Sequence, residues 1–148
     1  PLMFLNGTND FAYPMDSYAK TCALVRSKKN FSIQLKMKHG HIFDFPEFFL
    51  FVDQYILNGT PMPEVARPVI KKNKVSALVK AETALVEAKL YYTTAPHDQN
   101  RSRTWEIVDL AINGNRIHGD APPKDAKVWY VAVRDERKAT ASSELIVP

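Results

Sequence analysis

An α/β unit followed by an all-β domain is the fold class this sequence predicts, and three observations predict it. Leu2 to Leu5 is an unbroken apolar run, as expected of a strand covered on both faces in a parallel sheet. Met15, Tyr18, Ala19, Cys22 and Ala23 then recur at helical spacing, before a second strand pattern begins. Beyond residue 64 the helical period gives way to short alternating runs separated by turn signals, the pattern of an antiparallel sandwich.

Taken in order, the first strand ends in the turn chemistry of Asn6-Gly7-Thr8-Asn9-Asp10, and Pro14 suits the first turn of a helix running from residue 14 to 26. Phe31, Ile33, Leu35 and Met37 alternate with Ser32, Gln34, Lys36 and Lys38, so the second strand should be buried on one side only. Asp44-Phe45-Pro46-Glu47 has capping-box spacing, with Asp44 as the cap and Glu47 three residues on. The helix it opens should stop at Asn58-Gly59. Phe48, Phe49, Phe51, Val52, Tyr55 and Ile56 cover more than one stripe of that helix, so it should lie against a sheet and touch something else as well. Two parallel strands cannot bury both of their faces. Their missing neighbours come from sequence upstream of Pro1, from another copy of the chain, or not at all.

The composition shifts at Asn58-Gly59-Thr60-Pro61-Met62-Pro63-Glu64, which divides the chain into a unit over 1–64 and a second over 65–148. Strand signals in the second unit are Val75 to Val79, Val86 to Thr93, Thr104 to Ala111, Val128 to Val133 and Glu144 to Val147. Their number and spacing predict a small β-sandwich of immunoglobulin or fibronectin type. Trp105 and Trp129 fall on alternating strands and are expected in its core, the alternative being exposed platforms that stack on sugars.

Composition narrows the function classes. At 45% hydrophobic and 24% charged residues, the composition suggests neither disorder nor a membrane span. Apolar runs such as Phe48 to Val52 are far short of the roughly 20 residues a spanning helix needs. The net charge of +4 comes from basic residues scattered among acids, without interleaved stacking aromatics, so nucleic acid is not an expected partner. Cys22 is the single cysteine, which excludes an internal disulfide. The chain opens directly in a strand, without Met, a basic leader or a cleavage site, and reads as an excerpt of a longer protein.

The chemistry lies at the strand ends. Parallel strands deliver their C-terminal ends to one sheet edge, so Asp10 after the first strand can meet His39 or His41 after the second. That is how acid and base are paired in Ser-His-Asp enzymes. Distance from the strand end favours His39 as the base, whereas resemblance to hydrolases of this class, in which Gly-His in the loop following the last strand is the commoner arrangement, favours His41. His-x-His also has the spacing of a zinc half-site. Asp44 is better used as a cap, and His97 and His118 lie in the second unit, so no third ligand is evident. No metal or cofactor is expected.

Residues 1–64 resemble the C-terminal quarter of an α/β-hydrolase, in particular bacterial acetyl xylan esterase-like and dienelactone-hydrolase-like proteins. The motifs are Asn6-Gly7-Thr8-Asn9-Asp10-Phe11-Ala12-Tyr13-Pro14 and His39-Gly40-His41 with Pro46-Glu47. Residues 65–148 resemble the β-sandwich appended to some of these esterases, through Ala88 to Thr93, Arg103-x-Trp105 and Trp129-Tyr130-Val131-x-Val133-x-Asp135. The resemblance implies a partial α/β-hydrolase unit with Asp10 as triad acid and His41 or His39 as triad base. It also implies a serine nucleophile in a Gly-x-Ser-x-Gly elbow, and no serine in this chain has those flanking glycines. The chain alone is therefore expected to be inactive. The implied substrate is an acetylated polysaccharide or a small ester, and the implied partner is the missing N-terminal part of the hydrolase or a second copy. The competing expectation is a non-catalytic β-sandwich module that binds carbohydrate or protein.

Overall fold

The computed structural model describes residues 1–37, 39–40, 44–96 and 101–148. Strand β1 (Leu2–Gly7) leads through a turn to helix α1 (Met15–Leu24) and then to β2 (Lys29–Gln34), which pairs with β1 in parallel from Leu2↔Lys29 to Gly7↔Gln34. Helix α2 (Pro46–Ile56) follows. Asn58 then takes a left-handed backbone, φ 54°, and the Gly59 N–H closes the helix on the Asp53 carbonyl at 3.0 Å.

Nine further strands follow: β3 (Glu64–Val65), β4 (Val69–Lys71), β5 (Lys74–Lys80), β6 (Leu85–Thr93), β7 (Glu106–Asp109), β8 (Ala111–Asn113), β9 (Arg116–Asp120), β10 (Val128–Asp135) and β11 (Thr140–Ser142). All their pairings are antiparallel. They make a four-stranded sheet ordered β11-β10-β6-β7 and a five-stranded sheet in which β3-β5-β9-β8 are in line and β4 joins β5. Lys72 and Asn73, at φ 49° and 59°, form the two-residue turn between β4 and β5. Val75, Ala77, Val79 and Ile117 from the five-stranded sheet meet Ala88, Leu90, Trp129, Val131 and Val133 from the four-stranded one in a single core.

These pairings correct the expected fold class. The chain is mostly β, with eleven strands and two helices among the described residues, where parallel pairing is confined to β1 and β2. An α/β-hydrolase sheet is a wide parallel layer covered by helices on both faces; a single parallel pair is not that layer. The burial pattern gives the physical reason. Phe4, Phe31 and Ile33 from β1 and β2, with Met15, Tyr18 and Cys22 from α1, pack on Trp105, Val128, Tyr130, Ala132 and Leu145. The apolar periodicity that signals a helix-covered sheet is spent here on burial against the antiparallel strands.

Two local expectations also change. Phe45, not Asp44, is the N-cap of α2, and it makes no side-chain cap hydrogen bond. Glu47 turns inward instead: it is 2% exposed, and its Oε1 accepts from the Thr140 N–H at 2.6 Å and from Gln34 Nε2 at 3.1 Å. The apolar side chains of α2 remain largely uncovered, with Phe49 57% and Ile56 72% exposed.

Candidate active site

The turn after β1 is built one side chain at a time. Gly7 runs so close to the residue-37 backbone that a Cβ would sit 2.6 Å from the Met37 carbonyl oxygen, which makes glycine obligatory there. The Thr8 hydroxyl, fully buried, accepts from the Lys36 N–H at 2.9 Å and donates to Asn9 Oδ1 at 2.7 Å. So oriented, Asn9 Nδ2 donates to the Arg103 carbonyl at 2.7 Å and the Arg101 carbonyl at 3.3 Å, holding the 101–104 loop against the end of β1. Asn6 Nδ2 donates to the Tyr13 carbonyl at 3.3 Å and tightens the return into α1. Each residue of Asn6-Gly7-Thr8-Asn9-Asp10 thus has a separate structural task.

Asp10 is 5% exposed. Its Oδ1 accepts from the N–H groups of Ala12 at 2.8 Å and Tyr13 at 3.1 Å, and both carboxylate oxygens lie 3.0 Å from His39 Nδ1. Burial pushes this carboxyl up, but the hydrogen bonds from His39, Tyr13 and Ala12 outweigh burial and hold it below the ordinary aspartate value of 3.8. An ionised carboxylate only accepts hydrogen bonds, so Nδ1 carries the proton. Nε2, on the opposite edge of the ring, is left with its lone pair. The His39 ring lies 4.8 Å from the Phe11 ring and 5.8 Å from the Tyr13 ring, centroid to centroid, and its side chain is 37% exposed. The arrangement holds one imidazole in one tautomer beside open space, which equips it to take a proton from a nucleophile.

Of the expected site residues, Asp10 and His39 are in contact, and His41 lies outside the described residues. Among the described residues no group of three or more His, Cys, Asp or Glu is arranged to hold a metal ion. Trp105 and Trp129 are buried, so neither offers a stacking face. Lys36, Arg101 and Arg103 line the same cleft of about 500 Å³ with Asp10, Phe11 and His39, and the sequence pattern assigned none of them to the site. Thr8 and Asn9, within the turn, were the available signal. Arg103 stood out only within Arg103-x-Trp105 in the second unit, because the approach of its loop depends on a hydrogen bond across more than ninety residues.

No family model matches this chain, and no curated protein matches it. Among solved structures it is similar to the crystal structure of pectate lyase PelI from Erwinia chrysanthemi in complex with tetragalacturonic acid, at 14% identity and a TM-score of 0.32. That likeness covers 58% of this chain and 28% of the lyase. It is too slight to bear on fold or chemistry.

Proposed function

We propose that this chain supplies the acid and base of a serine carboxylesterase, as the C-terminal part of an enzyme resembling acetyl xylan esterases, acting on an acetylated polysaccharide or a small ester. The observation that carries the reading is the buried Asp10 carboxylate at 3.0 Å from His39 Nδ1. In the complete enzyme a serine from outside this sequence attacks the ester carbonyl while His39 Nε2 takes its proton. Asp10 stabilises the imidazolium so formed, and His39 then returns the proton to the departing alkoxide. Water repeats the cycle on the acyl-enzyme.

Two surfaces support a covering body that carries the serine. The outer edge of β1 pairs with no strand among the described residues, and Phe48, Phe49, Val52, Ile56 and Leu57 leave apolar surface on and just beyond α2 in water. That body is the preceding part of the hydrolase or a second copy of the chain.

Hydrolysis of p-nitrophenyl acetate tests the reading. The 148-residue chain alone should give no turnover above buffer. The complete enzyme should lose about 10⁶-fold in kcat on His39→Ala, and about 10⁴-fold on Asp10→Asn. Activity in the complete enzyme that is indifferent to both changes would sink it, as would turnover by the isolated chain.

A further inference from the structure

The cleft beside His39 is unevenly charged. Lys36, Arg101 and Arg103 all line it, and the carboxylate among its lining residues, Asp10, is already engaged by His39 and two backbone N–H groups. Arg103 is buried and braced from within the protein, its Nη2 donating to the Pro96 carbonyl at 3.2 Å. Lys36 and Arg101 are exposed, and among the described residues neither is in an ion pair.

Arg101 is held in place. Its carbonyl accepts from Asn9 Nδ2 at 3.3 Å, and its guanidinium lies 5.4 Å from the centroid of the Phe11 ring, which also packs against the His39 imidazole at 4.8 Å. The cation and the proposed base thus share one aromatic ring. Lys36 is positioned through its backbone N–H, which donates to the Thr8 hydroxyl. A neutral acetyl ester has no use for two such cations.

We propose that the cleft recognises an ester that carries a second, anionic group, a carboxylate, and that Arg101 and Lys36 bind that carboxylate while the ester carbonyl lies at His39. This rests on the esterase reading for the role of His39. It adds that the alcohol or acyl portion of the substrate is acidic, and that the 101–104 loop, far along the chain from the triad residues, sets specificity. An arginine fork matches a carboxylate in two parallel hydrogen bonds, and a flanking ammonium adds charge without that geometry.

The 148-residue chain suffices for the test, because binding is read without turnover. Backbone amide NMR signals are followed while monomethyl succinate, dimethyl succinate or inorganic phosphate is added at 50 mM salt. Monomethyl succinate should shift the Phe11, Lys36, His39 and Arg101 signals and bind about tenfold tighter than its neutral dimethyl ester, one charge-assisted hydrogen bond's worth. Arg101→Gln and Lys36→Gln, both at exposed positions, should each remove most of that difference while leaving the remaining spectrum in place. Phosphate should compete only weakly. Equal binding of the two succinate esters would overturn the proposal, as would shifts confined to other regions or a preference that survives both substitutions. Phosphate competing as strongly as monomethyl succinate would also overturn it, because the site would then recognise a bare anion and not an acidic ester. Loss of this preference leaves the His39 and Asp10 kinetics untouched, and indifference of the esterase to His39 leaves the titration untouched, so the two ideas fail separately.

Discussion

Asp10 is the residue whose chemistry and stability are most tightly linked. Its carboxylate accepts three hydrogen bonds from Ala12, Tyr13 and His39, and these hold it below the ordinary aspartate value although burial pushes the other way. A carboxyl depressed in the folded state contributes stability that is fully present above its unfolded value, and that contribution is lost as pH falls through the folded value. The window is therefore acidic, below about pH 5. Urea midpoints of the native chain should fall more steeply between pH 5 and pH 2.5 than those of Asp10→Asn, which has no proton to take up at this position. Parallel pH dependences in the two proteins would show that the hydrogen bonds to Asp10 carry no such linkage. In the complete enzyme the same substitution leaves His39 without the acceptor that selects its tautomer, so the kinetic and acid-stability effects come from one group.

At the scale of elements, the first turn of α2 shows how a sequence signal is redirected by packing. Asp44 and Glu47 have capping-box spacing, yet Glu47 accepts from Thr140 on β11 and Gln34 on β2 and so ties the helix to the four-stranded sheet and to the β1–β2 pair. Glu47→Ala should strand the half-buried Thr140 N–H and cost about 1–3 kcal/mol in denaturant unfolding, with faster amide exchange at Thr140. An unchanged exchange rate there would mean that the bond does not form in solution. Elements were legible where burial imposes a period: Met15, Tyr18 and Cys22 mark α1, and the alternation in β5 and β6 is plain, whereas β10 is buried on both faces and reads as an apolar run. Strand β9 was not, because Arg116-Ile117-His118-Gly119-Asp120 buries Ile117 alone and is a strand only by pairing with β5 and β8. The α/β layer misled for a related reason. An apolar run such as Leu2 to Leu5 records that something covers a strand, not whether the cover is helix or sheet. In the site, Asp10 and His39 could be read because strand ends place them, whereas Arg101 arrives through a tertiary hydrogen bond that no local pattern encodes.

For the whole molecule the question is whether residues 1–64 and 65–148 fold as one body, and Tyr130 is the side chain through which to ask. It is fully buried between α1 and the four-stranded sheet, stacked on Tyr91 at 4.9 Å and edge-on to Trp105 at 5.8 Å, in the cluster that also holds Met15, Tyr18, Cys22 and Ile33. The halves are further joined by the Ile33 N–H donating to Ser142 Oγ at 3.2 Å, and by Arg137, which donates to the Thr60 and Pro61 carbonyls. Both helices lie in the first 64 residues and both tryptophans in the rest. Circular dichroism at 222 nm and tryptophan fluorescence therefore report one half each. With a core shared to this extent, the two probes should give coincident urea transitions. Tyr130→Ala should shift both by the same amount, about 3–5 kcal/mol. The Tyr130 hydroxyl is buried without a hydrogen-bond partner among the described residues, so Tyr130→Phe removes an unsatisfied polar atom and keeps the ring; its stability should equal or exceed that of the native chain. Separate transitions for the two probes would show that the shared cluster is a contact between independently stable halves. Coincident transitions would mean that the 101–104 loop reaches His39 because the β strands and the acid–base pair fold together.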